Sequence, residues 1–389
     1  MKSNKLVAMC MLYFVTSAAF AGADQKPKAP EPTIHIIRCS IDKVNQCLAQ
    51  EAASGYVATH VAATIMDRPR TAASAGYGLM SSEDPVLVTQ KSNGPKRQTI
   101  AIIDDLAKRE AQINQAGSAG MRMVPQQLAV LRSWSAGVPQ GGFGVARSSG
   151  GGVSVDGYAI LFEEAQPSTR FEYKVIDTMD SAMSGKLKQL VAEGYRAVSI
   201  AAPSTLVLER SSGNTSKVDE YRMLRGSDVQ RLGSELAKVA GEGLRVLSAA
   251  GSTTGLQTLV LLDRATDEES KIDYQVHSSY GAPELEKKLN DAVQNGYSPV
   301  LGGILPIITK ATGRFDIPTP PQRVELIVGK NASPSYSAFK VLAAFAKDSQ
   351  AGLDAAVSDG YRFVEFVSVM DGNFIVLGRP AQAAAFSKN

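Results

Sequence analysis

Residues 171–210 read FEYKVIDTMDSAMSGKLKQLVAEGYRAVSIAAPSTLVLER. Phe171 to Ile176 alternate apolar and polar side chains, the period-two pattern of a half-buried strand. Within Lys186 to Glu193, Leu187 and Val191 stand four apart and share one helical face. Gly194 ends that helix, because glycine takes the left-handed conformation of a helix terminus at no steric cost. Tyr195 plugs the corner, Arg196 to Ala201 form a second strand, and Thr205 to Arg210 form a third. The stretch is one strand-helix-strand-strand unit.

The unit recurs along the chain, anchored on Gly55, Gly120, Gly194, Gly243, Gly296 and Gly360. Seven residues before each glycine stands Leu48, Ile113, Leu187, Leu236, Leu289 or Leu353. Three before it stands Ala52, Gly117, Val191, Ala240, Val293 or Val357. Directly after it comes Tyr56, Met121, Tyr195, Leu244, Tyr297 or Tyr361, and four after it Thr59, Val124, Val198, Leu247, Val300 or Val364. First strands are expected at 34–37, 100–103, 221–224, 274–277 and 339–342, and third strands at 86–91, 158–163, 259–264, 324–330 and 374–379. Asp371-Gly372 is a two-residue hairpin signal. The second copy diverges most, since Gly117 and Gln115 weaken its helix. The expected fold is α+β: six tandem βαββ repeats, each a three-stranded, mostly antiparallel sheet with one helix on one face. The repeats span 34–91, 98–165, 170–211, 219–265, 272–331 and 336–380, with a tail at 381–389. A unit of about 45 residues is too small to fold reliably alone, and its sheet edges are open. The units should therefore pack on one another, in pairs that extend or stack their sheets.

Phe171-Glu-Tyr-Lys-Val, a Leu-containing helix, Gly194-Tyr-Arg196 and the closing Val-Leu-Glu-Arg210 resemble an uncharacterised bacterial domain-of-unknown-function module. That module has a Tyr-Lys-Val strand, a Leu-Asn helix, a Gly-Trp corner and a final Arg. Leu289-Asn290 with Gly296-Tyr297 matches the helix and the corner, with Tyr, Leu or Met here in place of Trp. The resemblance covers most of the chain after residue 33 at the level of the module, and implies a βαββ fold with no established activity.

The amino terminus reads as a secretory signal. Lys2 and Lys5 precede an apolar run from Leu6 to Phe20, and small residues allow cleavage after Ala21 (Ala19-Phe20-Ala21) or after Ala23 (Ala21-Gly22-Ala23), the second being favoured. The run is shorter than the roughly 20 residues that span a bilayer, and no later segment is long and apolar enough. Cys10 lacks the small neighbour of a lipid-anchor site. Residues 24–33 form a Pro-rich leader. A periplasmic or secreted location follows, with no transmembrane segment in the mature chain. Removing residues 1–23 lowers Lys+Arg from 41 to 39 against 38 acids, which is no electrostatic footprint for nucleic acid or anionic lipid.

The copies differ most between their second and third strands. Repeats three, four and six join them tightly. Repeats one, two and five swell there, at about 66–85, 126–157 and 303–322. The second insertion holds Trp134, the one tryptophan, Gly141-Gly-Phe-Gly144 and Arg147, and the third holds Pro318-Thr-Pro-Pro321. Insertions in repeat arrays map to one face, often the binding face. Arg122, Arg196, Arg245 and Arg362 recur two residues after the corner glycine, and basic residues recur at the end of strand three. An aligned basic row suits an anionic surface polymer; alternatively, long basic stems cover sheet ends while their heads stay wet. The candidate binding residues are therefore Trp134, Phe143, Arg147, Arg196, Arg245 and Arg362.

Catalytic signatures are scarce. The three histidines are His35, His60 and His277. His35 and His60 occupy positions that other copies fill with assorted polar residues, so both are expected to face solvent. With Cys39 and Cys47 they make a conceivable two-His, two-Cys set, but the spacing matches no familiar zinc motif. No metal or cofactor is expected. Cys39 and Cys47 are the thiols of the mature chain, either bridged, as an oxidising compartment favours, or free. The glycine stretch at 141–152 lacks a Gly-Lys-Ser/Thr ending, and no serine sits in Gly-x-Ser-x-Gly. The reading that results is an exported, non-enzymatic repeat protein that binds another envelope protein or a surface polymer through the insertions. The alternatives are an envelope hydrolase with acids converging between repeats, and a small-ligand binder in inter-repeat clefts.

Overall fold

Each glycine-stopped helix lies between two sheets, its own and that of the next repeat. In the computed structural model, the described residues are 33–381 apart from 66–79, 93, 95, 106, 136–138, 141–146, 149–151, 166–168, 202–203, 212–219, 227–228, 252–257, 265–271, 308–322, 331–334 and 370–371. The expected signal and all but the last residue of the expected leader thus lie outside the described residues, as does Asp371 of the expected hairpin. Repeat one comprises β1 (Ile34–Arg38), α1 (Val44–Ala53), β2 (Tyr56–Ile65) and β3 (Met80–Lys91). Repeat two comprises β4 (Gln98–Ile103), α2 (Arg109–Ser118), β5 (Met121–Ser135), the short β6 (Pro139–Gln140) and β7 (Arg147–Ser148), and β8 (Gly152–Glu164). Repeat three has β9 (Phe171–Asp177), α3 (Met183–Ala192), β10 (Arg196–Ala201) and β11 (Thr205–Ser211). Repeat four has β12 (Tyr221–Gly226), α4 (Val229–Gly241), β13 (Leu244–Gly251) and β14 (Thr258–Arg264). Repeat five has β15 (Asp273–Ser279), α5 (Gly281–Gln294), β16 (Tyr297–Ile307) and β17 (Arg323–Lys330). Repeat six has β18 (Tyr336–Ala343), α6 (Ser349–Ser358), β19 (Arg362–Val369) and β20 (Gly372–Pro380).

Every sheet runs first strand, third strand, second strand, with both neighbours antiparallel to the third. The corner glycines all sit at positive φ, from +81° to +89°, as a helix stop in the left-handed region requires. The insertions are less loop-like than their glycine and proline content implied. Residues 80–85, 126–135, 152–157 and 303–307 are strand: the second and third strands of repeats one and two continue pairing beyond the length seen in the other repeats, and the second strand of repeat five is lengthened by a wide bulge at 300–303. The ends of β3 and β5 also pair with each other, Met80–Ser82 against Ser133–Ser135, so the first two repeats share one sheet.

Why the units pack as they do is written in the third strands, which are buried on both faces and carry almost unbroken apolar runs. In β11, Leu206 and Leu208 join the core around α3, while Val207 points the other way into the core around α2. In β14, Val260 and Leu262 face α4, and Leu259 and Leu261 face α3. In β20, Ile375 and Leu377 face α6, and Phe374 and Val376 face α5. One more turn of this rule closes the chain on itself. Val86 and Val88 of β3 belong to the core of Leu353 and Ala356 on α6, and Leu87 to the core of Leu48 on α1. The six cores thus form a cycle, not the separate pairs expected from open sheet edges. Gln350 of α6 donates from Nε2 to the Ile34 carbonyl at 3.0 Å, and Thr64 Oγ1 donates to Asn373 Oδ1 at 2.8 Å. These bonds fasten repeat six to repeat one.

Each first strand is a sheet edge, and the preceding helix covers its polar backbone. Asn290 of α5 donates to the Phe339 carbonyl at 3.1 Å and accepts from the Phe339 N–H at 2.8 Å. One turn earlier, Glu286 accepts from the Val341 N–H at 2.7 Å. Asn114 and Glu110 of α2 repeat this clasp on Tyr173 and Val175 of β9, and Asn45 of α1 clasps Ile100 of β4. Gly117, read above as a helix weakness, is a packing requirement: a Cβ there would stand 2.4 Å from the Phe171 carbonyl oxygen.

Two contrasts test this architecture by urea denaturation. Gly360 has open space but φ +86°, so Gly360→Ala should cost about 1–2 kcal/mol from backbone strain alone. Gly117→Ala should cost more, because the neighbouring repeat must move. Asn290→Ala should cost about 1–3 kcal/mol by leaving two groups of β18 unpaired.

Candidate functional site

Ring closure brings the six second strands together around an axis. β2, β5, β10, β13, β16 and β19 touch in that order, and β19 returns to β2. Between them lies a cavity of about 400 Å³ to which all six contribute. Each second strand carries a bulge after the third residue beyond its corner glycine, at Ala58, Ala197, Val246 and Phe363. In repeats two and five, which stand opposite one another in the cycle, the bulge widens. Residues 124–127 face Leu161 alone, and residues 300–303 face Ile327 alone.

A bulge frees backbone groups that need partners. A tyrosine from the next repeat supplies one. The N–H groups of Met123, Ala197 and Val246 donate to the hydroxyls of Tyr173, Tyr221 and Tyr274 at 2.8, 3.0 and 2.8 Å. Gln98 serves Ala58 in the same way at 2.8 Å. Burial and the carboxylate of Glu209, which accepts from its hydroxyl at 3.1 Å, push the Tyr173 phenol far above its ordinary value. In repeat five the matching residue is Pro299, which has no N–H to donate.

The positions five residues after the corner glycine lie at the axis. His60 and His35 were expected to face solvent, and both expectations fail, because the second strands are the inner wall of the ring and because His35 is held between Tyr56 and Glu51 of its own repeat. His60 Nε2 stands 3.1 Å from Glu365 Oε1 across the closure between repeats one and six. Ser199 and Ser248, the equivalents of His60, are each 1 % exposed. His35 stacks on Tyr56 with ring centroids 4.0 Å apart and holds Glu51 at 2.9 Å. The wide bulge of repeat two carries Gln126, the one described non-glycine residue at positive φ, +61°. Such a backbone costs of order 1–3 kcal/mol and persists where its surroundings enforce it. Here Ser248 Oγ donates to Gln126 Oε1 at 2.8 Å, and the Val61 N–H donates to Gln127 Oε1 at 2.8 Å.

The sequence-predicted binding residues do not form one site. Arg196, Arg245 and Arg362 begin second strands, at the rim opposite the hairpins. Arg245 is held by Asp263 at 2.9 Å, Arg196 is half-buried and Arg362 is exposed. Trp134 lies on β5, its backbone paired with Val153 and Ser81, near the hairpin rim. Arg147 lies on β7, opposite Gln140, and Phe143 lies outside the described residues. The basic ends of the third strands cover the corner aromatics: Arg210 over Tyr195 at 4.7 Å, Lys330 over Tyr297 at 5.6 Å and Arg379 over Tyr361 at 4.6 Å. They act as packed stems and cation–π lids. Cys39 and Cys47 are joined to each other as a disulfide, with Cα atoms 6.5 Å apart.

Sequence reasoning missed a further pattern. First and second strands run the same way, so the first-strand ends share a rim with the hairpins. On that rim, in the connections that follow β1, β9, β15 and β18, lie Ile41, Met179, Tyr280 and Phe345, which are 38, 55, 60 and 42 % exposed. A further large exposed apolar residue among those described, Leu301, is in the axial cavity. No family model, curated protein or solved structure matches the chain.

Tyr274→Phe should lower stability by about 1–2 kcal/mol, because the Val246 N–H loses its partner. Tyr336→Phe should be close to neutral, because Pro299 offers no donor. Chemical denaturation of the two variants side by side checks this.

Proposed function

We propose that the protein is an exported, non-enzymatic binding scaffold that docks another envelope component on the rim bearing its long hairpins. The observation that supports this is the coincidence on one rim of three lengthened hairpins and four exposed large apolar side chains. Single exposed apolar residues are ordinary on protein surfaces, whereas a set that recurs at one cyclic position is the pattern of an interaction face. Charges beside it are paired: Asp105 with Lys108 at 2.8 Å, Asp180 with Lys186 at 2.6 Å and Glu284 with Lys288 at 2.9 Å. A rim without a prevailing sign suits a protein partner better than an anionic polymer. Among the described residues no helix is long and apolar enough to cross a membrane. On this reading the repeats are relatives of the uncharacterised βαββ module, used as ring segments.

The test compares the mature protein with two variants in quantitative pull-downs from the envelope fraction. One replaces residues 66–79, 136–151 and 308–322 with short Gly-Ser turns. The other carries Tyr280→Ser and Phe345→Ser. With melting unchanged, a component enriched by the parent and lost with both variants is expected. Equal enrichment by all three proteins contradicts the proposal.

A further inference from the structure

We propose that the axial cavity is a binding site for a neutral, hydroxyl-rich small molecule of saccharide type. This inference is independent of the rim and stands on the lining of the cavity alone. Its volume, about 400 Å³, is in the range of pockets that take small ligands. Its titratable lining residues are matched in pairs, His60 with Glu365 at 3.1 Å and Arg132 with Glu83 at 3.4 Å. A charged ligand would therefore meet no uncompensated opposite charge and would lose its hydration without return.

What remains unspent is hydrogen-bond capacity. The carbonyl oxygens of Gln126 and Gln127 are fixed by Ser248 and by the Val61 N–H. Their amide nitrogens meet no acceptor among the described residues, although Gln127 is only 8 % exposed. Ser368 Oγ and Arg132 Nε, on residues of the same lining, also lack a partner among the described residues, but both are shut off from the cavity, so the two glutamine amides are the donors a ligand meets. The ligand must therefore bring oxygen acceptors. Phe363, leaning on His60 with ring centroids 5.2 Å apart, and Leu301 give apolar surface for the C–H face of a sugar ring. The strained backbone at Gln126 is what carries the two amides into the cavity, where their N–H groups are open to an acceptor.

The experiment labels glutamine side chains with ¹⁵N in the mature chain and titrates four probes: N-acetylglucosamine, maltose, propionate and propylammonium. At least one saccharide is expected to move the side-chain amide signals of Gln126 and Gln127 and to show nuclear Overhauser contacts to Phe363. Gln126→Glu and Gln127→Glu keep the anchored carbonyl oxygen and remove the donors, and each should weaken binding at least about tenfold. Leu301→Ser, at a side chain that lines the cavity and is 60 % exposed, should weaken it as well and serves if a glutamate variant fails to fold. Binding confined to propionate or propylammonium overturns the ligand class. Saccharide binding that leaves the two glutamines unmoved, or no binding by any probe, overturns the site.

Discussion

No repeat owns a complete core. Each helix divides its apolar contacts between its own sheet and the first and third strands of the next repeat, so every unit exposes a large apolar surface until its neighbour arrives. A linear array would leave such surfaces at both ends. Here the end surfaces meet: α6 and β20 receive the outer face of β3. Everything else in the structure, including the inward placement of the second strands and the cavity they surround, depends on that closure.

The clasps explain how the cycle keeps its register. Hydrophobic burial is non-directional and would tolerate some sliding of one unit over the next. The asparagine and glutamate side chains on α1, α2 and α5 read the backbone of the following strand and permit one alignment. The tyrosines that reach from a first strand to the bulge of the preceding repeat add a second fix on the inner side. The same polar groups shield strand edges that would otherwise invite pairing with other chains.

Much of the module was legible because its determinants are local. A glycine at positive φ, an aliphatic residue two turns before it and a large apolar or aromatic residue after it are read from spacing alone, and all six corners stand where that spacing puts them. The cycle was not legible for a different reason. Leu259 to Leu262 and Ile375 to Leu377 announce strands buried on both faces, but an apolar run does not name the surface that covers it. His60 and Ser199 show the cost: as an arbitrary polar position in one repeat they read as solvated, and only the meeting of six repeats puts them inside. Gly117 shows it again, since its role depends on Phe171 of the neighbouring unit. The wide bulges at 124–127 and 300–303 left a faint trace in Pro125, Gln126, Gly302 and Gly303, which interrupt otherwise apolar strands.

The most direct test of closure removes repeat six and follows amide hydrogen exchange in repeat one, some 300 residues away in sequence. A cycle predicts that exchange at Ile34–Arg38 and across Val86 to Val88 accelerates by orders of magnitude, because their outer face loses α6. Unchanged protection of those strands in the shortened chain would contradict it.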